Sequence, residues 1–236
     1  MTIRQLKKRK KMMSDFEMPE GAKSIEEFVP ESNMELVGTY SDIHVDLETL
    51  STRSDAAIVQ IGLVAFDLDD PYKPMQKVRI NCRPHPKAHI NPETIYWWMK
   101  QNEAARQSVF DWDTAVDPAS ACTRTTNFIN HWHDSHTQPP VRIWAMPAKF
   151  DITILENLYE MVGFNFPWLY NSSRDVRTVC ELAGLSKEAR VQPLIEHDAA
   201  EDAAAQTLTL WKALAMIRNP IVTVDEMFRE SEQGHD

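Results

Sequence analysis

Four side chains in this sequence are spaced so that local backbone geometry alone begins to pair them, and a fifth stands apart. Asp46 and Glu48 stand two apart in Ile43-His44-Val45-Asp46-Leu47-Glu48, where apolar and polar residues alternate as in a strand. Side chains alternate across a strand, so both carboxylates project from the same face. Two like charges in an apolar segment are costly unless a cation joins them. Further on, His197-Asp198-Ala199-Ala200-Glu201-Asp202 carries Asp198 and, three residues later, Glu201, the pattern of a capping box that starts a helix at Ala199. His197 then falls at N′ and Asp202 at N4, the two positions whose side chains meet in a hydrophobic staple. Asp151 follows Trp144-Ala145-Met146-Pro147-Ala148-Lys149-Phe150 and is read as opening a helix.

Each piece alone has a bland account: a strand end whose acids reach solvent, an aspartate favoured by a helix dipole, an acidic helix start. Together they give four carboxylates and one histidine in the order D-x-E, D, H-x-x-x-x-D, the set that two-metal hydrolysis of a phosphodiester requires. Hard oxygen ligands suit Mg²⁺ or Mn²⁺, and ions about 3.5–4 Å apart stabilise both the attacking and the leaving oxygen. A base that titrates near neutral pH takes the proton from water.

The elements that must position these residues can be read from pattern. Ala57 to Phe66 is a nearly continuous β-branched and apolar run, the mark of a central strand, and Gln76 to Asn81 suits a half-exposed third strand. Asn91 before Pro92 is a helix entry, leading into Ile95, Trp98 and Met99 on one face. Ala119 to His133 is a helical candidate, and Val141 to Met146 is a fourth strand. Helices follow over Asp151 to Val162 and Val176 to Ala183, ended by Gly163 and Gly184, and over Ala199 to Ile217. A strand meander followed by alternating strands and helices describes an α/β sandwich. The six glycines form neither a dinucleotide fingerprint nor a P-loop.

The 236 residues suit one domain, and the 43% hydrophobic and 25% charged composition is that of a folded protein. Residues 1–13 hold six basic side chains and no acid, which leaves 19 basic against 35 acidic residues in the rest. Such a body repels nucleic acid unless its acids gather where cations neutralise them. The expected division is a basic N-terminal arm over 1–40, a catalytic domain over 41–218 and a tail over 219–236. No stretch reaches the roughly 20 apolar residues of a membrane span, so the expected location is cytoplasmic. Cys82, Cys122 and Cys180 are far apart and are expected as buried thiols.

Four stretches carry a family likeness: His44-Val-Asp-Leu-Glu-Thr49, Trp144-Ala-Met-Pro-Ala-Lys-Phe-Asp151, Arg174-Asp-Val-Arg-Thr178 and His197-Asp-Ala-Ala-Glu-Asp202. Over roughly residues 42–215 the chain resembles the DEDDh 3′→5′ exonucleases, and within them the ribonuclease T-like and phage exonuclease A-like branch. The resemblance implies a ribonuclease H-like, mixed five-stranded sheet flanked by helices. It implies Asp46, Glu48, Asp151 and Asp202 as ligands of two Mg²⁺ or Mn²⁺ ions and His197 as general base. It also sets Leu47, Thr49 and Phe150 against the substrate, the 3′ end of single-stranded DNA or RNA, released as nucleoside 5′-monophosphates. Residues 1–40 match nothing in it, and the oligomeric state is open, a homodimer included.

Two other classes compete: a nucleic-acid-binding or recombination-accessory module that keeps the fold for docking, and a phosphodiesterase acting on small molecules. The presence of all five chemical residues argues against the first. Of Trp97 and Trp98, adjacent on a helix, one belongs in the core while the other offers a stacking surface for a base. Arg174 and Arg177 suit either phosphate or an intramolecular partner. The histidines at 131, 133 and 136 lack an accompanying cysteine and read as a helix end.

Overall fold

A computed structural model describes residues 40–135 and 138–218, so the basic arm, the C-terminal tail and His136 lie outside the described residues. The five strands are β1 (Asp42–Thr49), β2 (Ile58–Phe66), β3 (Gln76–Asn81), β4 (Arg142–Ala145) and β5 (Ser173–Asp175), in the order β3-β2-β1-β4-β5. The meander β1, β2, β3 is antiparallel, while β4 and β5 join β1 in parallel, giving the mixed sheet expected. Six helices are described: α1 (Pro92–Met99), α2 (Glu103–Val109), α3 (Pro118–Trp132), α4 (Ala148–Val162), α5 (Val176–Leu182) and α6 (Ala199–Arg218). All three cysteines are free and buried. No described helix is long and apolar enough to cross a membrane.

Alternation along β1 divides the core. Ile43, Val45 and Leu47 join one apolar cluster with Ala121, Ile129, Leu155 and Tyr159 of α3 and α4. Val64 and Phe66 of β2 and Trp144 of β4 join a second cluster with Leu208 and Trp211 of α6. His44, Asp46 and Glu48 therefore share the sheet face that α6 covers. Asp46 lies opposite Gly62 in the β1–β2 register, and here a side chain is excluded. A Cβ on Gly62 would stand 2.0 Å from the Ala199 carbonyl oxygen, so the missing side chain lets the first turn of α6 sit directly on the sheet.

Gln60, the one polar residue within buried β2, accepts the Ala199 N–H at 2.7 Å and donates to Asn81 at 2.9 Å. It satisfies a helix-terminal donor that would otherwise be buried unpaired. Asp198 caps α6 as anticipated, accepting from the N–H groups of Ala200 and Glu201. The reciprocal half of the capping box does not form, because Glu201 pairs with Lys77 at 2.6 Å instead.

Several boundaries differ from the sequence expectation. Helix α4 starts at Ala148 rather than Asp151, so Asp151 lies inside the first turn and caps nothing; its Oδ1 accepts the Leu47 N–H at 3.2 Å. Strand β5 and helix α2 carry no periodic signal: β5 is three residues long and mostly polar, and α2 is seven residues capped by Asn102. Met99, expected on the buried face of α1, is 66% exposed. Arg174 donates to the carbonyls of Asn171 and Ser173, and it is Asp175 that ties backbone together, through the N–H groups of Ala148 and Arg177. His133 is buried, with Nδ1 3.1 Å from the Tyr40 carbonyl oxygen, a structural contact.

Candidate active site

The sheet face under α6 brings together three of the five residues singled out by spacing. Ligand atoms of Glu48, His197 and Asp202 all lie within 4.8 Å of one another, a group able to take a metal ion. Asp46 and Asp151 stand close enough to Glu48 that the carboxyls perturb one another. Asp46, Glu48 and Asp151 are buried, while Asp202 and His197 are partly open.

Burial, and then the charges of Asp151, Asp202 and Glu48, hold the Asp46 carboxyl well above the ordinary aspartate range. Glu48 is raised in the same way, by burial and then by Asp202 and Asp151. Burial pushes Asp151 up to about 7 despite the Leu47 N–H, and Asp202 up to about 7 despite the His197 N–H. Four carboxyls whose ionisation burial and mutual repulsion oppose are relieved by a divalent cation, and their donor set consists of hard oxygens. The residues present therefore fit Mg²⁺ or Mn²⁺.

His197 sits at φ 63°, a left-handed conformation rare outside glycine. Its ring lies edge-on to Trp97 at 4.9 Å and to Trp98 at 5.9 Å between centroids. Partial burial lowers its pKa from the ordinary 6.5, which leaves the imidazole neutral at pH 7 and able to accept a proton.

Beside the cluster opens a cleft of about 410 Å³. Leu47, Thr49 and Phe150 line it, together with Glu48, Asn91, Trp97 and Trp98. The tryptophans divide as their spacing requires: Trp98 is 2% exposed and donates from Nε1 to the Thr49 carbonyl at 3.0 Å, whereas Trp97 is 43% exposed at the cleft.

Comparison with known proteins adds to this geometry. Residues 41–214 match the family described as the 3′-5′ exoribonuclease Rv2179c-like domain. The chain belongs to that family. It is a 3′-5′ exonuclease, a hydrolase. A curated relative, the exodeoxyribonuclease of Enterobacteria phage T4, is 24% identical over 206 residues, covering 73% of this chain and 88% of that protein. Among solved structures, the nuclease domain of 3′hExo, a DEDDh member bound to rAMP, aligns at 11% identity with a TM-score of 0.50 over 74% of this chain and 92% of that one. A full-length 3′-exonuclease aligns at 11% identity and a TM-score of 0.50, over 78% of this chain and 64% of that one. These structural likenesses establish the ribonuclease H-like fold.

Sequence reasoning missed a layer beneath the carboxylates. Gln206 donates to Asp46 Oδ1 at 2.7 Å, and its amide oxygen lies 2.9 Å from His44 Nε2. The signal was periodicity: Gln206 is one helical turn beyond Asp202, and His44 is two residues before Asp46 on the same strand face.

Proposed function

We propose that this exonuclease shortens single-stranded nucleic acid from its 3′ end one nucleotide at a time, releasing nucleoside 5′-monophosphates, with two divalent ions held by Asp46, Glu48, Asp151 and Asp202. The observation that carries the reading is the convergence of Glu48, His197 and Asp202 at the edge of a cleft within the size range of small-ligand sites. When bound, Mg²⁺ or Mn²⁺ stabilises charge on the scissile phosphate and favours ionisation of the attacking water. The side chains supply the rest. His197, neutral at pH 7, takes the proton from that water. The water oxygen bonds to phosphorus, the bond to the preceding 3′ oxygen breaks, and that oxygen takes a proton from solvent to become the new 3′ hydroxyl while His197 returns its proton to solvent.

Leu47, Thr49 and Phe150 surround the terminal nucleotide, and the open face of Trp97 stacks on its base. A base must be unpaired to stack in such a cleft, which favours single strands. The relatives' names divide between DNA and RNA, so both sugars belong in the test. Single-stranded DNA and RNA carrying a 5′ label should each be incubated with Mg²⁺ or Mn²⁺ and resolved on a gel. The expected product is a ladder receding from the 3′ end, with mononucleotides from 3′-labelled substrate. A shifted band with no shortening would make the protein a binding module, and cleavage only of a small phosphodiester would move the substrate to another class.

A further inference from the structure

The contacts of Gln206 form a chain that crosses from α6 into the sheet. Its amide nitrogen is 2.7 Å from Asp46 Oδ1 and its amide oxygen 2.9 Å from His44 Nε2. His44 Nδ1 is 3.1 Å from the Thr207 hydroxyl, which also lies 2.9 Å from the Ala203 carbonyl oxygen. His44 and Thr207 are both 0% exposed. A carboxamide donates at one end and accepts at the other, so its orientation constrains its neighbours. With the nitrogen on an ionised Asp46, the oxygen faces His44 and needs a donor there. The neutral imidazole must then carry its proton on Nε2, which leaves Nδ1 an acceptor beside the Thr207 hydroxyl, whose one proton is shared between Nδ1 and the Ala203 carbonyl. The donors of Gln206 and His44 therefore both point toward Asp46.

We propose that Gln206 is a positioning residue for the metal site: it holds Asp46 in its ligating orientation and is itself locked by the Nε2–H tautomer of His44. The inference rests on the reading of Asp46 as a metal ligand. A neutral donor suits this place, because a lysine or arginine there would compete with the cation for the carboxylate charge. Partners that orient a ligand in this way typically contribute about 10–100-fold in metal affinity.

The test replaces Gln206 with methionine, which keeps length but neither donates nor accepts an amide hydrogen bond. Calorimetric Mn²⁺ titration of Gln206→Met should show affinity lower by about 10–100-fold, while the metal-free thermal midpoint stays near wild type. In wild-type protein with Mg²⁺, nitrogen NMR of His44 should report the Nε2–H tautomer. An unchanged Mn²⁺ affinity in Gln206→Met would overturn the proposal, and so would an affinity loss that merely tracks a large fall in thermal midpoint. An Nδ1–H tautomer in the wild type would overturn it even if the variant did not fold. Asp46→Asn separates the layers: if it keeps wild-type affinity the ligand reading itself fails, whereas if it loses metal and Gln206→Met does not, only the positioning role fails.

Discussion

Trp97 touches both halves of the proposed chemistry, since its ring walls the cleft and packs T-shaped against the His197 imidazole. Although 43% of the residue is exposed, its ring packs against Trp98 and His197. Trp97→Ala should therefore lower stability by about 0.5–3 kcal/mol, the usual range for lost packing. Oligonucleotide affinity should weaken by roughly 1–3 kcal/mol, the usual worth of one base stack. Equilibrium binding in Ca²⁺, read beside denaturant unfolding, distinguishes the two effects, and unaltered affinity would show that the base stacks elsewhere. At this scale the sequence was legible where pairing is local. Asp46 with Glu48 follows from strand alternation, and His197 with Asp202 from the staple positions of one helix start. Asp151 and Gln206 were harder, because what each side chain does is decided by a strand distant in sequence: Asp151 receives the Leu47 N–H and Gln206 reaches Asp46.

Helix α6 is the element on which the site depends, since its start carries His197 and Asp202 and its next turn Gln206. Its seat is set by Gly62, where an added methyl would overlap the Ala199 backbone. Gly62→Ala must therefore lift the helix or bend β2, a strain of about 1–3 kcal/mol by the usual cost of overpacking. A fall in unfolding free energy accompanied by loss of Mn²⁺ affinity is expected. Retention of both would mean that the helix start has slack. Strands β1, β2 and β3 and helix α6 were readable because their periodicity is long. Strand β5 was not, since three mostly polar residues are strand only by pairing with β4, and neither was the importance of Gln60, whose polarity inside β2 makes sense only once the helix end it satisfies is in place.

For the whole molecule, the electrostatic balance predicts how metal and pH act on stability. The chain carries a formal charge of −10, and four of its acids meet at one buried point. Their folded-state pKa values are raised, so without metal the folded state binds more protons than the unfolded state. Asp151 and Asp202, ordinarily near 3.8 and raised to about 7, contribute stability present at low pH that is lost as pH climbs through that interval. Metal needs the carboxylates ionised, so its stabilising effect should grow over the same window. At a fixed Mn²⁺ concentration, the thermal shift should be small at pH 5 and larger at pH 8, reaching the equivalent of about 2.7 kcal/mol where the ion is at 100 times its dissociation constant. A shift independent of pH would place the ion elsewhere.

The central claim is a division of labour within one cluster, where Asp202 is assigned to metal and His197 to the proton even though both lie within 4.8 Å of Glu48. Calorimetric Mn²⁺ titration and single-turnover hydrolysis of one oligonucleotide, on wild type, Asp202→Asn and His197→Ala, test it directly. Asp202→Asn should lose both metal affinity and rate. His197→Ala should bind Mn²⁺ as wild type does while its rate at neutral pH falls by about 10²–10⁴-fold. With Mn²⁺ held saturating at every pH, the rise of wild-type rate with pH, centred below 6.5 because burial lowers the imidazole pKa, should vanish in that variant. A His197→Ala protein that keeps a near-normal rate, or that loses metal as severely as Asp202→Asn, would contradict the account and make the histidine a structural residue or a ligand.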